Sequence, residues 1–304
     1  SFFKTKLRLR EPFDLSATLS SGAAFCWGRY NRRGRLEAFG QPDRDGWFTA
    51  PTYGCVLRLR QPSPDCLEIE SSKDRVEPAG LPRPLPPADF IKWHFRMEES
   101  LRDVVRRISA DAHVAAAARV LPGLRLIRVE PVECLLAFLA SPQNRISKIA
   151  LILNTVSRTY GERIATDCGT FYLPPDASRL ARAHAAKLAS CGMRYGVPQA
   201  RNIIRTFRRL AEDGDFFRRN CRAARPYESS WDNVMSACAG AGPKVSDCVC
   251  LFALDHLEAV PVDVHVFNST VRLYRNRIRG LRAKNANFLT LREYRRIGDF
   301  YRRR

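Results

Sequence analysis

The chain has 304 residues, and 51 lysines and arginines against 31 aspartates and glutamates leave it with a formal charge of +20. That length permits a large core and two or three subdomains, and that charge implies a polyanionic partner or an acidic membrane surface. No apolar run approaches the roughly 18 residues a membrane helix needs, so a membrane-spanning protein of that kind is excluded and no membrane partner is expected.

Residues 1 to about 90 read as β structure. A strand over 25–30, a turn at Asn31-Arg32-Arg33-Gly34 and a strand over 35–39 form a hairpin. Residues 54–59 and 66–70 alternate apolar and polar on either side of Gln61-Pro62-Ser63-Pro64, which suits an antiparallel sheet with one buried face. The proline-rich run 81–87 closes this part as a stiff connector. From Phe90 onward helices dominate. One helical region covers 100–121, a short extended entry 124–128, and Pro131 opens a buried helix ending at Ala140. Pro142 breaks it and a helix resumes over 146–160. Two more follow at 177–191 and 198–212, the second with arginines on its outer face, and 272–304 reads as a basic helical tail. The fold class is therefore α+β, an antiparallel β domain over 1–90 followed by a helical domain over 91–304.

The stretch 231–252 is the most informative. Asn233, Val234, Ala237 and Cys238 suit a short helix, and Gly240 and Gly242 supply a tight bend in which φ can turn positive. Pro243 fits the first position of a new helix. Val245, Cys248, Val249 and Phe252 then repeat at i, i+3, i+4 and i+7, one buried helical face. Helix, glycine bend, helix presents free backbone N–H groups and the positive end of a helix dipole, an anion site suited to a phosphate. Lys244 stands in the first turn of the second helix, where a neutral amine could attack a sugar carbon. Further on, Val260-Pro261-Val262 is an apolar extended run and Asp263 can cap the helix after it.

Gly240-Ala241-Gly242-Pro243-Lys244 followed by Val260-Pro261-Val262-Asp263-Val264-His265 resembles the helix-hairpin-helix superfamily of DNA glycosylases, and within it the 8-oxoguanine DNA glycosylases with AP lyase activity. The resemblance covers most of the chain, patchily in the β part and densely over 130–161 and 231–274. A lone lysine near a helix start is ordinarily a solvated surface residue and a lone aspartate there an N-cap; it is the pair of motifs at this separation that is specific. The resemblance implies that Lys244 is the nucleophile and Asp263 the essential carboxylate.

It also implies secondary roles. Ser20-Ser21-Gly22-Ala23-Ala24-Phe25-Cys26-Trp27 is similar to a family segment in which the glycine carbonyl accepts the N7–H found only on the oxidised base, so Gly22 is the expected reader; the family's Gln is Ala23 here. Cys248 would lie against the flipped base and Phe252 on the pocket wall, both being equally at home as core residues. Gln143 and Lys148, on a loop where the family favours Asn and Arg, would fill the hole left by the base and hold the orphaned cytosine, and Lys148 cannot make a bidentate fork. Met193 is the expected wedge and Arg194 a second cytosine contact, Gly240 and Gly242 approach the backbone, and His265 lies near the phosphate of the flipped nucleotide. The family also has a C-terminal helix that closes the base pocket; the sequence ends at Phe300-Tyr301-Arg302-Arg303-Arg304 before it, so either the chain is trimmed, as its lack of an initiator Met suggests, or the pocket is built differently.

The ten cysteines show no disulfide-scaffold spacing and no CxxC pair, and there are five histidines. They read as reduced thiols of an intracellular protein without a zinc site. No cysteine follows Cys250, so the iron–sulfur cluster of endonuclease III-like relatives is excluded and no cofactor is expected. The expectation is a monomeric glycosylase and AP lyase that excises 8-oxoguanine from damaged double-stranded DNA, in the nucleus of a eukaryote or the cytoplasm and nucleoid of a prokaryote. A glycosylase for another damaged purine, or a non-catalytic DNA-binding module, are the rivals; the second would need neither Lys244 nor Asp263.

Overall fold

The computed structural model describes residues 1–78, 80–282 and 285–303. Strands β1 (Phe3–Arg8), β2 (Gly28–Tyr30), β3 (Leu36–Phe39), β4 (Phe48–Thr52), β5 (Cys55–Ser63) and β6 (Cys66–Ser71) form an antiparallel sheet in the order β1-β6-β5-β4-β2-β3. β1 and β4 were not expected from sequence, and neither was α1 (Leu15–Ser20), whose N-cap Asp14 accepts from Ala17 N–H. Leu57, Leu59, Leu67 and Ile69 bury one sheet face.

The helical part holds α2 (Pro87–His94), α3 (Leu101–Ile108), α4 (Ala112–Val120), α5 (Pro131–Ala140), α6 (Ile146–Tyr160), α7 (Ala177–Ala181), α8 (Ala185–Ala189), α9 (Gly196–Glu212), α10 (Phe216–Asn220), α11 (Tyr227–Ala237), α12 (Pro243–Ala253), α13 (Val264–Tyr274) and α14 (Leu291–Arg302). Four expectations are corrected. The helix expected over 177–191 is two, α7 and α8, with His184 as the N-cap of the second. Residues 100–121 split into α3 and α4 because Asp111 caps a new helix rather than continuing the old one. A two-stranded hairpin, β7 (Arg163–Thr166) with β8 (Gly169–Tyr172), stands where only a connection was expected. The basic tail is interrupted between α13 and α14, and α14 restarts with a full capping box from Thr290 and Glu293.

One continuous cluster of buried residues runs from the sheet into the bundle, so both parts share a core. Polar pairs stitch the same seam: Thr52 donates to the Glu133 carboxylate at 2.8 Å, and the Asn154 side chain bridges Leu36 N–H at 3.1 Å and Gly34 O at 3.0 Å. A second, smaller cluster including Val262, Phe267, Tyr274, Tyr294, Ile297 and Phe300 packs α13 on α14.

Candidate active site

The bend between α11 and α12 is made by two glycines with different tasks. Gly240 takes φ +86, the left-handed region glycine enters at least cost, and Ala241 N–H donates to Cys238 O at 3.0 Å to close the turn. Gly242 was expected to share that conformation. It does not: at φ −98 and ψ −176 it is extended and serves as the N-cap of α12. Among the described residues, chain neighbours aside, nothing lies within 4 Å of where a Gly242 Cβ would stand, so a phosphate oxygen has room to approach the unpaired N–H groups at the helix start.

Pro243 occupies the first turn of α12, and Lys244 follows it. The Lys244 amine lies 4.5 Å from the centroid of the Phe138 ring, on α5. Phe138 stacks on Phe252, with ring centroids 5.7 Å apart and planes at 11°, and meets Phe25 edge-on at 5.7 Å. Those three rings form an aromatic wall beside the amine. One turn beyond Lys244, Cys248 is 2% exposed; burial pushes its thiol up to about 12, so it stays neutral, and both Lys244 and Asp263 bear on it electrostatically. Asp263 caps α13: its Oδ1 accepts from His265 N–H at 2.9 Å and Val266 N–H at 2.8 Å. Amine and carboxylate, each at a helix start, thus both act electrostatically on one buried thiol.

The chain was compared with known proteins. Residues 6–135 match the family model described as "8-oxoguanine DNA glycosylase, N-terminal domain". A curated N-glycosylase/DNA lyase from Saccharomyces cerevisiae is 33% identical over 289 residues, covering 89% of this chain and 72% of that protein. This chain belongs to the 8-oxoguanine DNA glycosylase family. N-glycosylase/DNA lyase OGG1 of Arabidopsis thaliana is 29% identical over 272 residues, covering 88% and 67%. The fold matches that of the Clostridium acetobutylicum 8-oxoguanine glycosylase/lyase solved with double-stranded DNA containing cytosine opposite 8-oxoG, at TM-score 0.76 and 19% identity over 100% of this chain and 91% of that one.

The remaining residues named for family roles fall in three places. Gly22 takes φ +83, and a Cβ there would stand 2.8 Å from Ile146 Cδ1, so its segment lies against the start of α6. Through Phe25 and Phe138 the same segment reaches Lys244. Gln143 is exposed and left-handed at φ 54, and Lys148 is exposed with its amine 3.5 Å from the Cβ position of Gly192. The 141–148 and 192–195 segments therefore form one surface, with Arg194 exposed on it. His265 is exposed at the start of α13.

Met193 is the exception. It is 6% exposed and part of the core, because the turn that follows α8 folds its side chain inward, while Tyr195 is 47% exposed. Of the two, Tyr195 is the side chain that stands on this surface. Sequence reasoning also missed Phe138, which in an apolar helix carries no mark distinguishing it from core. Asp247 left a signal that could have been read: a carboxylate in the middle of the apolar face of α12.

Proposed function

We propose that this chain is a bifunctional DNA glycosylase and AP lyase that flips 8-oxoguanine out of duplex DNA, excises it and nicks the strand, with Lys244 and Asp263 as the catalytic pair. The observation that carries the reading is the Lys244 amine seated over Phe138 of the Phe138–Phe252 wall in the first turn of α12, with Asp263 capping α13 and within electrostatic reach of the same Cys248 thiol. The wall offers a π-face to an extruded purine.

The Lys244 amine attacks C1′ through its lone pair. The C1′–N9 bond breaks, its electron pair leaves with the base, and the amine's proton goes to the departing purine. Asp263, its Oδ1 held by two helix N–H groups, presents a fixed negative charge to the cationic sugar. Ring opening gives a Lys244 Schiff base; loss of a C2′ proton then expels the 3′ phosphate, and water releases the enzyme. The N–H groups after Gly242 hold a backbone phosphate. Gln143, Lys148, Arg194 and Tyr195 occupy the gap and the orphaned base, and the Gly22 carbonyl accepts the N7–H that ordinary guanine lacks. Lys148, a point charge rather than a fork, relaxes the preference for cytosine.

The test is a set of duplexes carrying 8-oxoguanine, an alkylated purine, a ring-opened purine or guanine opposite each base, incubated with the protein with and without borohydride. Preferential release of 8-oxoguanine, a nick 3′ to the lesion, and a trapped adduct that Lys244→Gln abolishes are expected. Adduct formation by Lys244→Gln, or excision confined to alkylated purine, overturns the reading.

A further inference from the structure

Asp247 lies on α12 one turn beyond Lys244 and is 1% exposed. Its Oδ1 accepts from the Tyr227 hydroxyl of α11 at 2.5 Å, and its Oδ2 from the Tyr294 hydroxyl of α14. The Tyr294 oxygen accepts in turn from the main-chain N–H of Val262 at 3.2 Å. Val262 is 4% exposed and immediately precedes Asp263. One hydroxyl therefore joins the helix that carries the amine to the peptide that carries the carboxylate.

Neither end of this bridge has an easy substitute. A buried N–H left unpaired costs about as much as a lost hydrogen bond, and Pro261, the next residue back, has no N–H to contribute. Burial pushes the Asp247 carboxyl above the usual range even though two phenols and Arg302 favour its charged form. On the far side, Arg302 of α14 places its guanidinium 5.3 Å from the Tyr227 ring centroid, so α14 is tied to α11 as well as to α12.

We propose that Tyr294 is a positioning residue for base excision, holding Asp263 at its working distance from Lys244 by bridging Asp247 and the Val262 peptide. The inference rests on the reading of Lys244 and Asp263 as the catalytic pair. Through this bridge helix α14 becomes part of the catalytic frame. Small misplacement of reacting groups is enough to lower a rate roughly a hundredfold.

The test is a double-mutant cycle on single-turnover excision of 8-oxoguanine with Tyr294→Phe, Asp263→Asn and the double variant, with duplex affinity measured for each. Tyr294→Phe keeps the ring and removes only the bridging oxygen. It is expected to lower the excision rate about ten- to a hundredfold with unchanged affinity, and to add no further loss in the Asp263→Asn background. Asp247→Asn, which keeps size and one acceptor, is expected to give the same pattern at smaller amplitude, and replaces Tyr294→Phe if that variant does not fold. A full rate in Tyr294→Phe, or a loss that multiplies with Asp263→Asn, overturns the positioning role. A full rate in Asp263→Asn alone overturns instead the catalytic reading beneath it.

Discussion

The Arg96 guanidinium donates to the Asp255 carboxylate at 2.7 Å, joining residues 159 positions apart in the chain. Asp255 also accepts from Arg128 Nε at 3.0 Å. Burial pushes the Asp255 carboxyl up, but Arg96 and Arg128 outweigh that and hold it below the usual carboxylate range. This pair fixes the point where the chain leaves α12, so it anchors the far end of the helix that carries Lys244 in its first turn. Removing the carboxylate would leave Arg96, which is 4% exposed, with Glu99 at 3.8 Å as its remaining ion-pair partner. Asp255→Ala is expected to destabilise the fold by about 2–3 kcal/mol, less than for a fully buried pair because the Asp255 side chain is 42% exposed. Calorimetry would show this as a lowered Tm, and an unchanged Tm would remove the anchor.

Phe138 carries a second expectation. Its ring meets the Lys244 amine and the rings of Phe25 and Phe252. Phe138→Leu keeps the wall apolar but takes away the face under the amine and two aromatic contacts. A stability loss of about 1–3 kcal/mol follows from those contacts. Borohydride trapping on a duplex with a preformed abasic site should slow as well, because the amine loses its seat. If trapping keeps its wild-type rate while the Tm falls, Phe138 is a core residue only.

The glycine bend was legible because each of its features has a local cause. Pro243 can start a helix and hardly continue one, and Val245, Cys248 and Val249 are buried at the spacing of one helical face. What escaped was set by distant packing. Gly242 is extended because it caps α12, not because the bend needs a second left-handed residue. Met193 and Tyr195 are both large, and only the turn after α8 decides which one faces water. The β7–β8 hairpin is four residues a side and mostly half-buried, too short for its alternation to stand out. Asp247 and Tyr294 are 47 positions apart, and neither residue alone announces the other.

Glu133 sets a pH dependence. It is 3% exposed, and burial raises its carboxyl to about 7, against the opposing hydrogen bond from Thr52. The folded state therefore prefers the protonated acid. Stability is greatest below the unfolded value of 4.5, falls as pH rises from there to about 7, and stays low above it. The full swing from this group is about 3 kcal/mol. Glu133→Gln removes the charge and keeps an acceptor for Thr52, so it should raise the Tm at pH 8 and have little effect at pH 4.5. Thermal melts of the two proteins across that range would decide it, and parallel curves would mean that the folded and unfolded states hold the Glu133 proton equally, so that its carboxyl is not raised by folding.

Gly22 separates a backbone requirement from a recognition requirement. An alanine there meets two obstacles, the left-handed φ of +83 and Ile146 Cδ1 at 2.8 Å. The steric one is minor, since Ile146 is 44% exposed and its terminal carbon can swing away. The conformational one remains and costs about 1–2 kcal/mol. That is small enough for Gly22→Ala to fold, yet relief of the strain would rotate the carbonyl proposed to accept N7–H. The variant should thus lose selectivity for 8-oxoguanine over guanine by more than it loses rate on a preformed abasic site, which has no base to read. Measuring both substrates side by side distinguishes the outcomes. Equal loss on the two would make Gly22 a turn residue without a part in reading the base.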